Sequence, residues 1–353
     1  MRKNNNFHIF STFDMQHPYV CASILILLMQ GYQALGLALL PTSNKQITRR
    51  ELSAGLGTAA LATLSRAVSA DASNCDVVVL GAGGRTGQEV VRYCVCTGRS
   101  VRACTRSEQF DTEELLGSPS NLVIPGYADV TQVDTLGPAV MGASLVIFAA
   151  TASAFGTPSE VDNQGLANTA RACVAAEVPR LVVVSGAGVT KVESLAYRFL
   201  NLFGGRMDAK LAGEATVRSL YASAPSSLAY TIVRPSGLML GEAKGPGALE
   251  LNQGDEVAGS MSRADVAAVC VECALSKATA RATFECYDAG TGLATQSLSL
   301  SGILSDPKMS ALAKHIAFEK KPLPVPVTGY ERRAEDYGAL FSRLEPDAAA
   351  HPL

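Results

Sequence analysis

Between Cys75 and Gly98 the chain passes from an apolar run, through a cluster of glycines, into an amphipathic stretch. No other feature narrows its possible folds as far. Cys75-Asp76-Val77-Val78-Val79-Leu80 is short, apolar and rich in β-branched residues, the composition of a strand buried on both faces of a parallel sheet. Gly81-Ala82-Gly83-Gly84-Arg85-Thr86-Gly87 follows directly. In the next segment, QEVVRYCVCTG, Val90, Val91, Cys94 and Val95 recur at helical spacing and Gly98 supplies a stop.

Strand, glycine turn and helix in that order form a cradle for phosphate. Gly81 permits the sharp turn, Gly84 lets the backbone approach a pyrophosphate that a Cβ would block, and Gly87 lets the helix lie close to the strand. The helix start then presents N–H groups and a partial positive charge. Gly83, Arg85 and Thr86 complete this expected contact set. The spacing predicts an α/β, doubly wound parallel sheet of the Rossmann type that binds a dinucleotide.

Further strands follow at the spacing such a sheet needs. Ser100–Thr105 is the second, Asn121–Pro125 the third, Ser144–Ala149 the fourth, Arg180–Ser185 the fifth, Tyr230–Arg234 the sixth and Thr283–Tyr287 the seventh. Arg106 ends the second strand, where an acidic residue would accept bonds from the ribose hydroxyls of NAD; a cation there suits the 2′-phosphate of NADP, so NADP is expected over NAD. Arg85 could add a second cation. Asp129, followed by Val130, is placed to bond an adenine amino group. Ala149 and Ala150 are small enough for ribose and nicotinamide to lie against their backbone. Met207–Ala222 reads as the helix before the sixth strand, with Leu211, Ala215, Val217 and Leu220 as its inner positions.

Composition excludes little but excludes it clearly. With 30 basic and 32 acidic residues the net charge is −2, so no basic field awaits nucleic acid. The four histidines stand far from the cysteine pairs and none lies between Asn74 and Ser310; no metal site and no histidine-based triad is expected. The nine cysteines read as small buried hydrophobes.

Residues 1–73 read as an address and not as part of the fold. Tyr19–Leu40 carries no charge over 22 residues and is long enough to span a bilayer or to serve as a signal. In residues 48–70, Arg49-Arg50 precede a mildly apolar run ending in Val68-Ser69-Ala70, which is similar to a twin-arginine signal. Two tandem signals resemble the multi-part leaders of plastid proteins, so a plastid (stroma or thylakoid lumen) is expected, with secretion or membrane anchoring through residues 19–40 as the alternative. Residues 74–290 form the dinucleotide-binding domain and residues 291–353 a C-terminal extension. In that extension Pro322, Pro324 and Pro326 mark an extended stretch and Tyr330–Leu344 a terminal helix with Tyr337, Leu340, Phe341 and Leu344 on one face. The helix either docks on the core or receives a protein partner.

From Asp76 to Ala289 the chain resembles the atypical short-chain dehydrogenase/reductases, in the branch of the NmrA-like proteins and the small plant plastid NAD(P)-binding proteins. GGRTGQ, YTIVRPSG and SRADVA carry the likeness most specifically, with Val161–Val189 and Lys210 beside Gly213-Glu214. The resemblance implies a seven-stranded parallel sheet with the substrate at its carboxyl edge, and Pro235 counts with the cofactor contacts. Typical members use a serine, a tyrosine and a lysine four residues after that tyrosine, the lysine lowering the phenol's pKa for proton transfer. Ser185 and Tyr197 match the first two, but Asn201 stands where the lysine would be. Lys210 matches a lysine of the NmrA-like and plastid branch and could meet the nicotinamide end or an anionic substrate group. Two functions follow. One is NADPH-dependent hydride transfer to a small carbonyl or quinone-like metabolite. The other is a catalytically silent NADP(H) sensor or assembly factor, which Asn201 favours.

Overall fold

The computed structural model describes residues 75–107, 109–153, 156–202, 204–295 and 334–347. The two leader patterns, the proline stretch and Tyr330 lie outside the described residues. β1 (Val77–Leu80), β2 (Val101–Thr105), β3 (Val123–Tyr127), β4 (Leu145–Phe148), β5 (Arg180–Val184) and β6 (Ala229–Pro235) alternate with helices, as the pattern requires. They are α1 (Arg85–Cys96), α2 (Thr112–Leu116), α3 (Val133–Val140), α4 (Leu166–Ala175), α5 (Leu195–Asn201) and α6 (Arg206–Ala222). A π-helical turn, Ser159–Gly165, leads into α4. The chain continues through β7 (Gly237–Met239), β8 (Leu249–Asn252), β9 (Val257–Ala258), β10 (Ser260–Ser262), α7 (Arg263–Cys273), β11 (Ala282–Asp288), β12 (Leu293–Ala294) and α8 (Tyr337–Phe341).

The main sheet has eight strands in the order β3-β2-β1-β4-β5-β6-β11-β8. All neighbours are parallel except β11 and β8, which run antiparallel from Glu285 opposite Asn252 to Asp288 opposite Leu249. The seven expected strands are therefore present and an eighth closes the edge. Leu249–Asn252 is not among the expected strands; it follows a Gly/Pro-rich stretch, yet all four residues are buried. β3 starts two residues later than expected and carries Pro125 in its middle, which an edge strand tolerates because one side of its ladder is unpaired.

Both sheet faces are covered, which explains why the strands are apolar without alternation. Val77 and Val79 enter one core with Val90, Val91 and Cys94 of α1 and Val266 and Cys270 of α7. Val78 and Leu80 enter the other with Leu136 of α3, Leu166 of α4 and Val217 of α6. Seven of the eight described cysteines are buried and all eight are free thiols. Burial pushes the thiols of Cys94 and Cys104 up to about 12, so they pack as neutral hydrophobes.

One helix differs in phase from its apolar pattern. α6 buries Met207, Ala209, Gly213, Glu214, Val217 and Tyr221, while Ala215 is exposed and Leu211 and Leu220 are half-buried. The face turned to the sheet includes a glutamate because an arginine waits for it there.

The C-terminal extension returns to the core. Asp336 caps α8 through Ala339 N at 2.7 Å, and Leu340, Phe341 and Leu344 are buried. Each such side chain contributes about 1.5–3 kcal/mol on burial, and Phe341 meets Phe284 of β11 with ring centroids 5.9 Å apart. Beyond α8 the chain crosses to the other face. Gln253, just after β8, pairs with the backbone of Glu345 at 2.9 and 3.0 Å. Asp347 then accepts bonds from Thr283 N, Thr283 Oγ1, Tyr230 OH and Arg218 Nε.

Candidate functional site

Strand order reverses between β1 and β4, and ligands of doubly wound sheets bind outside the carboxyl ends at that point. Gly81 leaves β1 there with φ +88°, and a Cβ on it would lie 2.8 Å from the Ala150 backbone that follows β4. A Cβ on Gly87 would come within 2.2 Å of the Gly81 carbonyl oxygen. These two glycines are thus required by the protein's own backbone.

Gly84 differs: it is exposed, and its Cβ would meet only the Gly81 oxygen, at 3.2 Å. Gly83 is also exposed and equally open. Gly84 caps α1 with no side-chain bond, and no acidic residue stands in the first turn. The N–H groups of a helix's first turn make no bonds inside the helix and are directed to an anion beyond its end. A helix end without a side-chain cap, beside a surface that stays open only while it lacks a Cβ, fits a pyrophosphate.

The other expected cofactor residues stand at the carboxyl ends of β2, β3, β4 and β6. Arg106 is exposed just beyond β2 and makes no ion pair among the described residues. Asp129 also serves the local backbone. Its carboxylate accepts from Thr131 N at 2.9 Å, Thr131 Oγ1 at 2.7 Å and Gln132 Nε2 at 3.4 Å, so it builds the turn into α3. Val130 is buried in the core, its carbonyl accepting from Asn168 Nδ2 at 3.2 Å. Ala149 and Ala150 are half-buried at the end of β4. Pro235 ends β6, and its carbonyl accepts from Ala187 N at 3.1 Å.

Beyond Ala150 stands a charged group that sequence reasoning only half found. Lys210 Nζ lies 2.9 Å from Asp162 Oδ1, with 14% of the lysine side chain exposed and none of the aspartate. Asp162 also accepts from Thr151 Oγ1 at 2.7 Å and from Ala152 N at 3.0 Å. Burial works to raise its pKa, but Lys210 and these donors prevail and hold the carboxyl below the usual range. Arg206, one turn before Lys210, donates to Thr151 Oγ1, Ala152 O and Ser153 O. Lys210 is therefore a fixed ammonium at the carboxyl edge and not a solvated helix lysine.

Ser185 and Tyr197 are engaged within the protein. The Tyr197 hydroxyl donates to Asp208 Oδ1, and the ring packs with Val189 and Met207. Burial and that carboxylate raise the phenol's pKa, opposite to the shift a catalytic tyrosine needs. Asn201 gives its amide to Asp208 Oδ2 at 2.7 Å and accepts from Met207 N and Asp208 N at 3.1 and 3.2 Å. In the lysine's place it braces the start of α6.

Ser185 donates to Glu214 Oε1 at 2.5 Å. Glu214 is the hub of a buried network: Arg234 binds it through Nε at 3.1 Å and Nη2 at 2.6 Å, and Arg218 reaches it at 3.1 Å. Arg234 also reaches Glu285 at 3.2 Å. Glu285 accepts from Asp255 N at 3.0 Å, and Asp255 in turn accepts from Gly188 N and from Thr190 N and Oγ1 in the loop after β5. Burial, reinforced by Asp255 and only partly offset by Arg234, pushes the Glu285 carboxyl up to about 8. Ser185 was expected as the family's catalytic serine, and its bond to Glu214, like the rest of this network, was not anticipated. The available signal was Arg234 and Glu285 interrupting two apolar strands with opposite charges; they are direct partners across the β6–β11 register.

Among the described residues no cluster of three potential ligands could hold a metal, and no helix is long and apolar enough to cross a membrane.

A doubly wound sheet with a glycine-lined helix end at its switch point, its N-cap residue Gly84 offering no side chain, defines a dinucleotide-binding domain. The chain belongs to the NAD(P)H-binding family, whose model matches residues 81–277. The resemblance to the atypical short-chain dehydrogenase/reductases is borne out with it. An uncharacterised chloroplastic protein of Arabidopsis thaliana is 34% identical over 211 residues, covering 57% of this chain and 72% of that one. The chloroplastic protein TIC 62 of Pisum sativum is 30% identical over 181 residues, covering 46% of this chain, which spans only 32% of that relative's length. In fold, the oxidoreductase ylbE of Lactococcus lactis superposes with a TM-score of 0.51 at 20% identity, over 69% of this chain and 99% of that one.

Proposed function

We propose that the chain is an NADP(H)-binding, reductase-like protein of a plastid that brings a small carbonyl or quinone-like metabolite to its cofactor. The observation that carries this reading is the conjunction at one sheet edge of the open α1 terminus, the small Ala149-Ala150 floor and the fixed Lys210 ammonium. NADPH, when bound, supplies a hydride to the carbonyl carbon as the C=O pair moves to oxygen. Gly84 and the first turn of α1 would hold the pyrophosphate, and Arg106 would pair with the 2′-phosphate. Lys210, with one N–H directed to Asp162, keeps others to neutralise that oxygen and give it a proton. A proton taken up from solvent then restores the ammonium, so the reduction consumes one proton overall. The plastid assignment rests on the chloroplastic relatives and on the two-part leader pattern at 19–70.

A second reading, a silent NADP(H) sensor, is favoured by one specific observation. The protons of both Ser185 and Tyr197 are committed to carboxylates inside the protein. A protein partner would then meet the C-terminal extension, of which Leu340, Phe341 and Leu344 are already spent on the core.

Titrating NADPH and NADH by nicotinamide fluorescence, then following NADPH oxidation with a panel of quinones and aldehydes, separates these readings. NADPH is expected to bind more tightly, and Arg106→Ala to weaken it about tenfold, or ~1.4 kcal/mol, while NADH affinity stays unchanged. Equal affinity for the two in the parent protein overturns the role of Arg106. Tight binding with no oxidation of NADPH by any acceptor supports the sensor.

A further inference from the structure

We infer that Ser185 meets its ligand as a hydrogen-bond acceptor, so that the carboxyl end of β5 recognises a molecule bearing an O–H or N–H group there and not a carbonyl oxygen. This rests on the proposal that a ligand occupies this edge, and it names the polarity of that ligand.

The argument is a count of protons. The two oxygens of Glu214 receive four donors: Ser185 Oγ and Arg234 Nε on Oε1, and Arg234 Nη2 and Arg218 on Oε2. Three of the four come from guanidinium groups, which have no accepting atom. Glu214 is fully buried between them and is held ionised by their charge. An ionised carboxylate only accepts, and a serine hydroxyl has one proton. The Ser185–Glu214 contact therefore consumes that proton, leaving lone pairs on Oγ for anything approaching from the half-buried outer side. Turning the hydroxyl towards a ligand carbonyl would give up a charge-assisted bond, about twice as strong as a neutral one, in a site where Glu214 finds no water to replace it.

Tyr197 does not restore the lost polarity, because its proton is held by Asp208. A carbonyl brought to Ser185 would face lone pairs, and Tyr197 has no free proton with which to replace the missing donor. An alcohol, phenol, hydroquinone or carboxamide N–H finds an acceptor in Ser185. If a substrate carbonyl is reduced at this edge, its oxygen must turn to Lys210, while a separate donor group of the same molecule meets Ser185.

The test uses hydroquinone and its dimethyl ether, which share a ring and differ in their donors. Each is titrated into the full chain saturated with NADP+ and followed by ligand-observed NMR, with NADP+ binding measured in the same samples. Hydroquinone is expected to bind at least about tenfold more tightly. Ser185→Ala should reduce that ratio to under about twofold, and Ser185→Thr, which keeps the hydroxyl, should preserve it. Equal binding of the two probes, a preference that survives Ser185→Ala, or no hydroquinone binding at all overturns the inference. Failure to bind NADP+ would instead sink the dinucleotide reading, so the two failures are distinct.

Discussion

The two halves of the carboxyl edge use their polar groups in opposite ways. Around β1 and β4, what matters is backbone: the N-cap Gly84 of α1 brings no side chain, and among the described residues a Cβ there would meet only the Gly81 oxygen. Around β5 and β6 the polar side chains are consumed internally, Ser185 and Arg234 by Glu214, Tyr197 by Asp208, and the loop after β5 by Asp255. Open donors belong to a surface that binds. Donors already satisfied brace the elements that carry them, and neither Ser185 nor Tyr197 has a proton left to offer a ligand.

The most forceful way to break this contrast is to remove the hub. Glu214→Ala leaves Arg234 buried with its principal partner gone and is expected to cost about 3–5 kcal/mol in urea unfolding. A loss below about 1 kcal/mol would mean that the network is wet and that the two halves are alike.

A smaller effect sharpens the other half. Gly87→Ala drives a Cβ into the Gly81 carbonyl and should cost about 1–3 kcal/mol of stability. Gly84→Ala should cost well under about 1 kcal/mol, yet weaken NADPH binding at least about tenfold, because its Cβ occupies ligand space. If Gly84→Ala binds NADPH normally, the pyrophosphate does not lie on that turn.

A third test reads a slope. Glu285 binds its proton more tightly folded than unfolded, so between the ordinary carboxyl range near 4.3 and about 8 the folded state holds the extra proton. The stability that this group contributes is full below that window, falls as pH rises through it and is flat above it. Glu285→Gln cannot titrate; apart from a constant offset, its unfolding free energy should lack that decline. Parallel curves for parent and variant from about pH 5 to about pH 8.5 would show Glu285 to be ionised throughout.

The sequence made the open half readable and hid the closed one, for a physical reason. A turn that must admit a phosphate is written in consecutive residues, Gly81 to Gly87, so local spacing reveals it. The seven parallel strands were legible because both faces bury apolar side chains. The closed half is written in pairs distant in the chain: Ser185 with Glu214 and Arg234 with Glu285. Only the fold brings such partners together, and the apolar phase misplaced α6 because its buried face carries Glu214. β8 escaped for a related cause, since its pairing to β11 is fixed by context and not by its own four residues.

Asp347 fastens the far end of the chain to Tyr230, Arg218 and Thr283, residues 117, 129 and 64 positions earlier. Those residues belong to α6, β6 and β11, so one carboxylate clamps a helix to two neighbouring strands. The segment after α8 is thereby part of the sheet's own bracing, and without it Arg218 would keep one carboxylate, Glu214, instead of two.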